Sequence, residues 1–502
     1  MKKLAFTFHS LRLGLGALKV VPGHSSSKKK ILILLFLVSA ILLTVITVNN
    51  CSKKNVIEKK QVILISIDTL RADHMDAYGY SRSTTPHLSR LLKDSVYYTQ
   101  AYPNGCWTMP SHMSLLTGAL PSRHGINQSW GEVRNKRYRR MNESVKTIAQ
   151  VLESHDAGIN TVKIAKLPDA LGFGNGFDKK IYQDTLFNER KTRVLMEELE
   201  KNKDRDFFLF IHTWRVHAPY SGDHFLEKDR LSAEDLVFIQ NPGKAKGKKN
   251  KRAANYRKFL IKKNLFNAQD CINIYDSGIY QVDQNFGTII EKCRQLGIYD
   301  HVMIVIVSDH GEHFGEHYPK LFYNYHGKDF YEEFIKIPLI IKYPKGTMKP
   351  GVVDFPVSLM DVVPTILDFY KIPVPGFVQG ESLLTPLEKR KKSLISEATS
   401  DRSTEKKMIR EGDWKYIVTM KAPFSNDRTN WDAVTERRLY NLKNDPGEKN
   451  NLYNSLKYKG ICVNFEKMLR EIIKKSADIN FTTKETTIDQ ETLNQMKALG
   501  YL

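Results

Sequence analysis

The stretch "QVILISIDTLRADH", residues 61–74, decides the fold. Its run Val62–Ile67 is short and almost uniformly apolar, whereas a surface helix repeats apolar positions every three or four residues. Such a run predicts a strand buried on both faces, as in a parallel sheet. The same design returns in "DFFLFIHTWRVHAPY" (206–220), "HVMIVIVSDHGEHFGEH" (301–317) and "IPLIIKYP" (337–344). Helical patterns at 189–202 and 272–295 fall between these runs. Strands alternating with helices give an α/β class, with a mostly parallel mixed central sheet flanked by helices. From residue 393 the texture changes to short strands broken by turn residues, with a helix near 461–475, which predicts a smaller C-terminal α+β subdomain over 393–502.

Polar residues follow the strands at once: Asp68 after the first, His217 after the second, Asp309 and His310 after the third. Ligands of open α/β sheets collect at the carboxyl ends of strands, so three strands deliver acids and imidazoles to one edge. Asp68, Asp309 and His310 form an oxygen–oxygen–nitrogen set suited to one divalent cation, Mn²⁺, Mg²⁺, Ca²⁺ or Zn²⁺. The stretch "GCWTMPSHMSLLTG" (105–118) reads as the start and end of a helix: Thr108 just before it, Pro110 at its first position, Gly118 as its stop. A hydroxyl at such an end lies where backbone N–H groups favour negative charge. A cation shared with Thr108 would lower the hydroxyl's pKa and make it a nucleophile, which a free threonine is not. His326 is the expected general acid for the leaving group. His313, Glu316 and His317 are candidates to extend the metal site, and Trp107 and Trp214 to line the pocket.

In this order and spacing the chain from residue 61 onward resembles the sulfatase family of the alkaline phosphatase superfamily. The matching pieces include "LISIDTLRADHMDAYGY", "TMPSHMSLLTGALPSRHG", "FFLFIHTWRVHAPY", "VSDHGEHFGEH" and "LYNLKNDPGEKNNL". The resemblance implies that Asp68 opens the metal motif and Asp309–His310 closes it. It puts Thr108 at the nucleophile position and His217 in the His-x-Pro segment that contacts the anionic group or the leaving oxygen. It makes Arg71, His112, Arg123 and Lys328 candidates for binding that anion.

Three departures from the pattern bear on the chemistry. Sulfatases carry at the Thr108 position a cysteine (sometimes serine) that is oxidised to formylglycine; threonine would give a ketone, so no formylglycine is expected. His112 stands where the family has arginine, and Cys106 is mis-spaced to replace the missing cysteine. "AKLPDA" keeps only Lys166 of the Lys-Trp-His run that grips sulfate, Thr69 replaces a second metal-binding aspartate, and His310 stands where many sulfatases have asparagine. These changes favour a phosphoester over a sulfo-ester. The rival readings are a phosphoethanolamine- or phosphoglycerol-type transferase on a lipid or glycan, and an inactive sulfatase-like scaffold.

The net charge of +22 is concentrated in two places. Residues 1–60 hold 11 Lys/Arg against Glu58 alone, and residues 241–265 hold 10 with no acid. The body lacks a broad basic face, so nucleic acid is not an expected partner. Residues 31–48 carry no charge and span roughly 27 Å as a helix, close to a bilayer's hydrocarbon core. Lys28–Lys30 precede them and predict a cytoplasmic N-terminus. The expected order is a basic tail (1–30), a signal anchor (31–48), a linker (49–60), the catalytic domain (61–392) and the C-terminal subdomain (393–502). A lipoprotein modified at Cys51 and a cleaved signal are the alternatives, and all three put the body outside the cytoplasm. The 241–265 segment reads as a solvated loop or a contact for anionic lipid headgroups. Five widely spaced cysteines suggest neither a disulfide framework nor a zinc site. The substrate is expected to be an anionic ester borne by a lipid headgroup, a glycan or a small molecule.

Overall fold

The structure, a computed structural model, describes residues 36–39, 59–127, 138–155, 158–184, 186, 189–220, 222–226, 266–323, 325–391, 393–400, 404–421, 431–477, 485–486, 488–490 and 493. Residues 1–58 and 59–502 are separate units. Of the first, one helical turn at 36–39 is described. The apolar run 31–48 otherwise lies outside the described residues, as do Cys51 and the basic segment 241–265. Among the described residues no helix is long and apolar enough to cross a membrane.

The central sheet is built from β1 (Gln61–Ile67), β2 (Val96–Tyr102), β3 (Asn160–Ile164), β4 (Lys179–Ile181), β5 (Phe207–Thr213), β6 (Val302–Val307), β7 (Ile337–Lys342), β8 (Gly351–Val353) and β9 (Val357–Ser358). Its order is β9-β2-β7-β6-β1-β5-β3-β4, with β8 also on β2. Strands β6, β1, β5, β3 and β4 are parallel, while β7 runs against both its neighbours, β6 and β2. The expected mostly parallel mixed sheet is therefore what forms. Alternate side chains of β1 enter different cores: Val62 and Leu64 pack on one face, Ile63, Ile65 and Ile67 on the other. That two-sided burial is why the run lacks polar alternation, and each such side chain contributes about 1.5–3 kcal/mol.

One face is covered by helix α1 (Thr108–Thr117) through Met109, Met113, Leu115 and Leu116. The opposite face is covered by α2 (Glu189–Asn202) and by the long α3 (Ala268–Gln295), whose Ile274, Tyr275, Ile279, Val282 and Phe286 point inward. Helix α3 starts earlier than its apolar periodicity predicts. Asn267 and Asp270 form a reciprocal capping box there, a polar signal that a search for apolar spacing overlooks.

The register aligns the strand ends. Ser66 of β1 pairs with His212 of β5 and with Val307 of β6, so Asp68, the segment after Thr213 and the segment after Val307 leave the same edge. The sheet thereby gathers residues that are more than a hundred positions apart in sequence.

Beyond residue 393 the strands β10 (Ser393–Ser400), β11 (Thr404–Glu411), β12 (Trp414–Lys421) and β13 (Val434–Asn441) form an antiparallel sheet in consecutive order. Gly412, at φ +57, makes the tight turn between β11 and β12 that a side chain would strain. Helix α4 (Lys459–Ala477) covers this sheet with Phe465, Leu469 and Ile473 against Ile409, Tyr416, Val418 and Leu439. Lys415 from β12 is fully buried, 2.9 Å from Glu332 Oε1 and 2.7 Å from Glu448 Oε1, and donates to the Phe330 carbonyl at 2.8 Å. Removing that cation strands buried carboxylates. Lys415→Ala is therefore expected to cost about 3–5 kcal/mol, read as a lower urea midpoint at unchanged m-value.

Candidate active site

Helix α1 begins differently from its sequence expectation. Trp107, extended at φ −157, is the N-cap, Thr108 is the first helical residue and Pro110 the third. The chain enters the helix two residues early because buried Trp107 anchors the preceding segment in the core. Gly118 closes the helix at φ +67 as expected, and a Cβ there would meet Val378 Cγ1 at 2.8 Å. Thr108 is thus not the cap. Its hydroxyl lies 3.4 Å from Asp68 Oδ2 and 3.3 Å from His310 Nε2.

Asp68, Asp309 and His310 are fully buried, and one ligand atom from each lies within 4.8 Å of the others. Whether they suit a cation is answered by their hydrogen bonds. His310 Nδ1 donates to the Gly311 carbonyl at 2.9 Å, which turns Nε2 toward the site, the arrangement usual for a metal-binding imidazole. Asp309 Oδ1 accepts from the Thr69 and His310 amides at 3.2 and 3.0 Å, whereas Asp309 Oδ2 and Asp68 Oδ1 are buried without a hydrogen-bond partner among the described residues. Two carboxylate oxygens without a hydrogen-bond partner, with the imidazole Nε2 of His310 turned toward them, make a donor set that a hard or borderline divalent cation fits. Burial works against charge on Asp68, yet the hydrogen bond from His212 and the fields of His217 and His310 hold its pKa well below the usual carboxylate range. Asp309 is likewise lowered against burial and the nearby Asp68, by His310 and His112. Thr69, at the position of the family's second aspartate, turns its hydroxyl back to the Asp68 carbonyl at 2.7 Å and offers no ligand.

Beside this cluster stand His217 and His326, whose rings are 4.8 Å apart, with His326 also 4.9 Å from His310. His217 Nδ1 donates to the Ala218 carbonyl at 2.5 Å, and burial lowers its pKa, which favours a neutral ring. His326 is different. Burial opposes its charge, but Glu312, with Oε1 3.2 Å from Nδ1, raises its pKa. Glu312 is itself held down to about 2, against burial, by His326 and His217. Trp214 makes an edge contact with His212 and carries the Lys166 ammonium 4.0 Å above its ring.

The structure redirects several expected anion contacts. Arg71 is buried and fully engaged: Nε and Nη2 on Asp73, Nη1 on Glu316 and on the Glu312 carbonyl. Four of its five N–H donors are thus taken, so it braces the site. Arg123 donates to the Phe377 and Lys475 carbonyls, tying its loop to distant chain segments away from the cation residues. His112 uses both ring nitrogens, Nδ1 at 2.9 Å from the Thr108 carbonyl and 3.3 Å from Asp309 Oδ2, Nε2 at 2.9 Å from Ser66 Oγ. It supports Asp309 from below, and Asp309 raises its pKa against the effect of burial. Lys328 lies in a loop gripped by the C-terminal sheet: Lys406 donates to the Lys328 carbonyl at 2.9 Å and pairs with Asp329, which Arg438 also binds. His313, Glu316 and Glu333 do cluster, but His313 Nε2 accepts the Tyr318 amide, so Nδ1 must donate to Glu333 and has no lone pair for a metal. His317 pairs with the same carboxylate at 2.7 Å. Cys106 is buried, its thiol pushed up to about 12 by burial and by Asp329, and is no nucleophile.

Three functional neighbours escaped the sequence reading: His212, Glu312 and Tyr275. His212 Nε2 lies 3.2 Å from Asp68 Oδ2. Its signal was present, because a histidine inside a doubly buried strand demands a partner.

The chain was compared with known proteins. A family model described as Sulfatase matches residues 60–372, and one described as N-sulphoglucosamine sulphohydrolase, C-terminal, matches 322–475. An N-acetylglucosamine-6-O-sulfatase of Bacteroides thetaiotaomicron is 24% identical, over 87% of this chain and 90% of that protein. An arylsulfatase of Clostridium perfringens is 25% identical, over 80% and 92%. Among solved structures, one holding its substrate D-glucosamine-2-N,6-O-disulfate superposes at TM-score 0.62 with 22% identity, covering 84% of this chain and 99% of that one. The phosphonate monoester hydrolase of Agrobacterium radiobacter superposes at 0.60 with 18% identity, covering 83% and 96%. At these identities the structural likeness establishes the fold.

Proposed function

This chain belongs to the sulfatase family of the alkaline phosphatase superfamily, and from that premise we propose that it is an ester hydrolase acting on a phosphoester through the Thr108 hydroxyl. Asp68, Asp309 and His310 would hold one divalent cation. When bound, that cation supplies positive charge that acidifies a nearby hydroxyl and offsets charge on the ester oxygens. The observation that carries the reading is the Thr108 hydroxyl, buried between Asp68 Oδ2 and His310 Nε2 where a sulfatase would present formylglycine.

The acidified Thr108 hydroxyl loses its proton to solvent, and Oγ1 attacks phosphorus in line, forming a Thr108 phosphoester as the bond to the leaving oxygen breaks. His326, whose Nδ1–H is fixed by Glu312, delivers the proton on Nε2 to the leaving oxygen. The neutral ring then takes a proton from water, whose oxygen attacks phosphorus and displaces Thr108 Oγ1, releasing the phosphoryl product and restoring both groups. The sugar-directed relatives support a glycan as carrier of the ester. The apolar run 31–48 behind three lysines supports a membrane anchor with this domain outside the cytoplasm.

The test is turnover of aryl phosphodiester, phosphate monoester, phosphonate ester and aryl sulfate by purified protein, after chelation and readdition of Mn²⁺, Mg²⁺, Ca²⁺ or Zn²⁺. Cation-dependent turnover of a phosphoester with aryl sulfate untouched is expected. Sulfate turnover alone overturns the phosphoester, no turnover of any ester points to a scaffold, and diversion of product onto added glycerol points to a transferase.

A further inference from the structure

Thr69 sits at φ +58, in the left-handed region. A β-branched residue is a genuine outlier there, and such conformations persist only where the surroundings impose them. The imposing contacts are few. The Tyr275 hydroxyl, projected from the N-terminal third of α3, donates to the Thr69 carbonyl at 2.6 Å and accepts from the Arg71 amide at 2.9 Å. The Leu70 amide donates to Ser308 Oγ at 2.9 Å. Held this way, the Thr69 amide donates to Asp309 Oδ1 at 3.2 Å, which leaves Asp309 Oδ2 facing Asp68 and His310.

We propose that Tyr275 is a positioning residue: its hydroxyl clamps the Asp68–Arg71 turn with Thr69 in a strained conformation, and the clamped turn orients Asp68 and Asp309 for the cation. The ring has no freedom to do otherwise. Tyr275 is fully buried, with its ring 4.8 Å from Phe314, 5.2 Å from His74 and 5.7 Å from Tyr220. One phenol oxygen thus bridges an acceptor and a donor on either side of Leu70, fixing the span that an ordinary loop would let relax. Without the hydroxyl, Thr69 relaxes toward negative φ, its amide leaves Asp309, and the carboxylates lose their common aim. Glycine at position 69 occupies the same φ without strain, so the clamp then has little to oppose.

The inference rests on the cation site proposed above, and its test is a double-mutant cycle of Tyr275→Phe and Thr69→Gly in the full chain. The readouts are Mn²⁺ affinity by calorimetry and the urea midpoint of cation-free protein. Tyr275→Phe is expected to weaken Mn²⁺ binding about ten- to a hundredfold, as loss of an orienting neighbour does at metal sites. Thr69→Gly alone should stay within about threefold of wild type, and in that background Tyr275→Phe should cost less than about threefold. Unchanged affinity in Tyr275→Phe, or an equal loss in both backgrounds, overturns the clamp. Should Tyr275→Phe fail to fold, the double variant decides: a folded, Mn²⁺-binding protein supports the clamp, and an unfolded one overturns it. If the wild type binds no cation, the proposed function fails instead. The cation-free midpoints then still decide, since the clamp predicts a smaller drop for Tyr275→Phe when residue 69 is glycine.

Discussion

Thr108→Ala is expected to lower kcat on the best phosphoester by roughly 10⁴-fold or more, the scale seen when a covalent nucleophile is removed. The fold leaves this substitution a clean reading. Trp107 caps α1 and Thr108 is already inside it, so no helix cap is lost. The hydroxyl's contacts at 3.3 and 3.4 Å are long, and their removal should cost about 1 kcal/mol or less in stability. Activity and stability therefore separate. Thr108→Ser keeps an oxygen in place and should recover most of the rate, losing some because a hydroxymethyl group samples rotamers that the threonine methyl excludes. Rapid quenching of the wild type, followed by mass spectrometry of the Thr108 peptide, should reveal a phosphoryl adduct absent from the alanine variant. Equal turnover by Thr108→Ala would remove this residue from the chemistry.

What the sequence disclosed divides by range. The strands of the central sheet were legible because double-sided burial writes itself as an uninterrupted apolar run, and polar residues at each run's end marked the edge where ligands collect. Asp68, Thr108, Asp309 and His310 therefore met as expected. What stayed hidden depends on partners supplied from far along the chain. Arg71 and Arg123 looked like anion contacts because an arginine beside a motif is free until its neighbours are known. In the fold Arg71 gives four of its five donors to Asp73, Glu316 and the Glu312 carbonyl, and Arg123 gives two to backbone carbonyls. Tyr275 meets Thr69 across 206 positions. Nothing local to a helical tyrosine says that its hydroxyl will leave the apolar face and bind a strained turn. His313 and His317 show the same dependence, since both pair with Glu333, a partner their own spacing did not disclose.

The imidazole pair beside the nucleophile supplies the second large effect. His217 is driven toward neutrality by burial, while Glu312 keeps His326 protonated to higher pH. Environments that push two titratable groups apart suit them to different roles, and the proposed mechanism takes His326 as the acid and His217 as a neutral contact. His326→Ala should then cost about 10²–10⁴-fold in kcat/KM on esters with alkyl leaving groups and far less on nitrophenyl esters, which leave without a proton. Glu312→Gln tests the pairing itself. The acid must be protonated to act, so activity falls as pH rises through the His326 pKa. Removing the Glu312 charge lowers that pKa, and the alkaline limb of the kcat/KM profile should move toward acid by about one pH unit. The nitrophenyl ester is the internal control, because it leaves without that proton and its profile should not shift in Glu312→Gln. The loop bearing His326 is held through Asp329 by Lys406 and Arg438 of the C-terminal sheet, so a general loosening of the site would slow both ester types alike. An alkaline limb that stays put on alkyl esters in Glu312→Gln would mean that the proton comes from elsewhere.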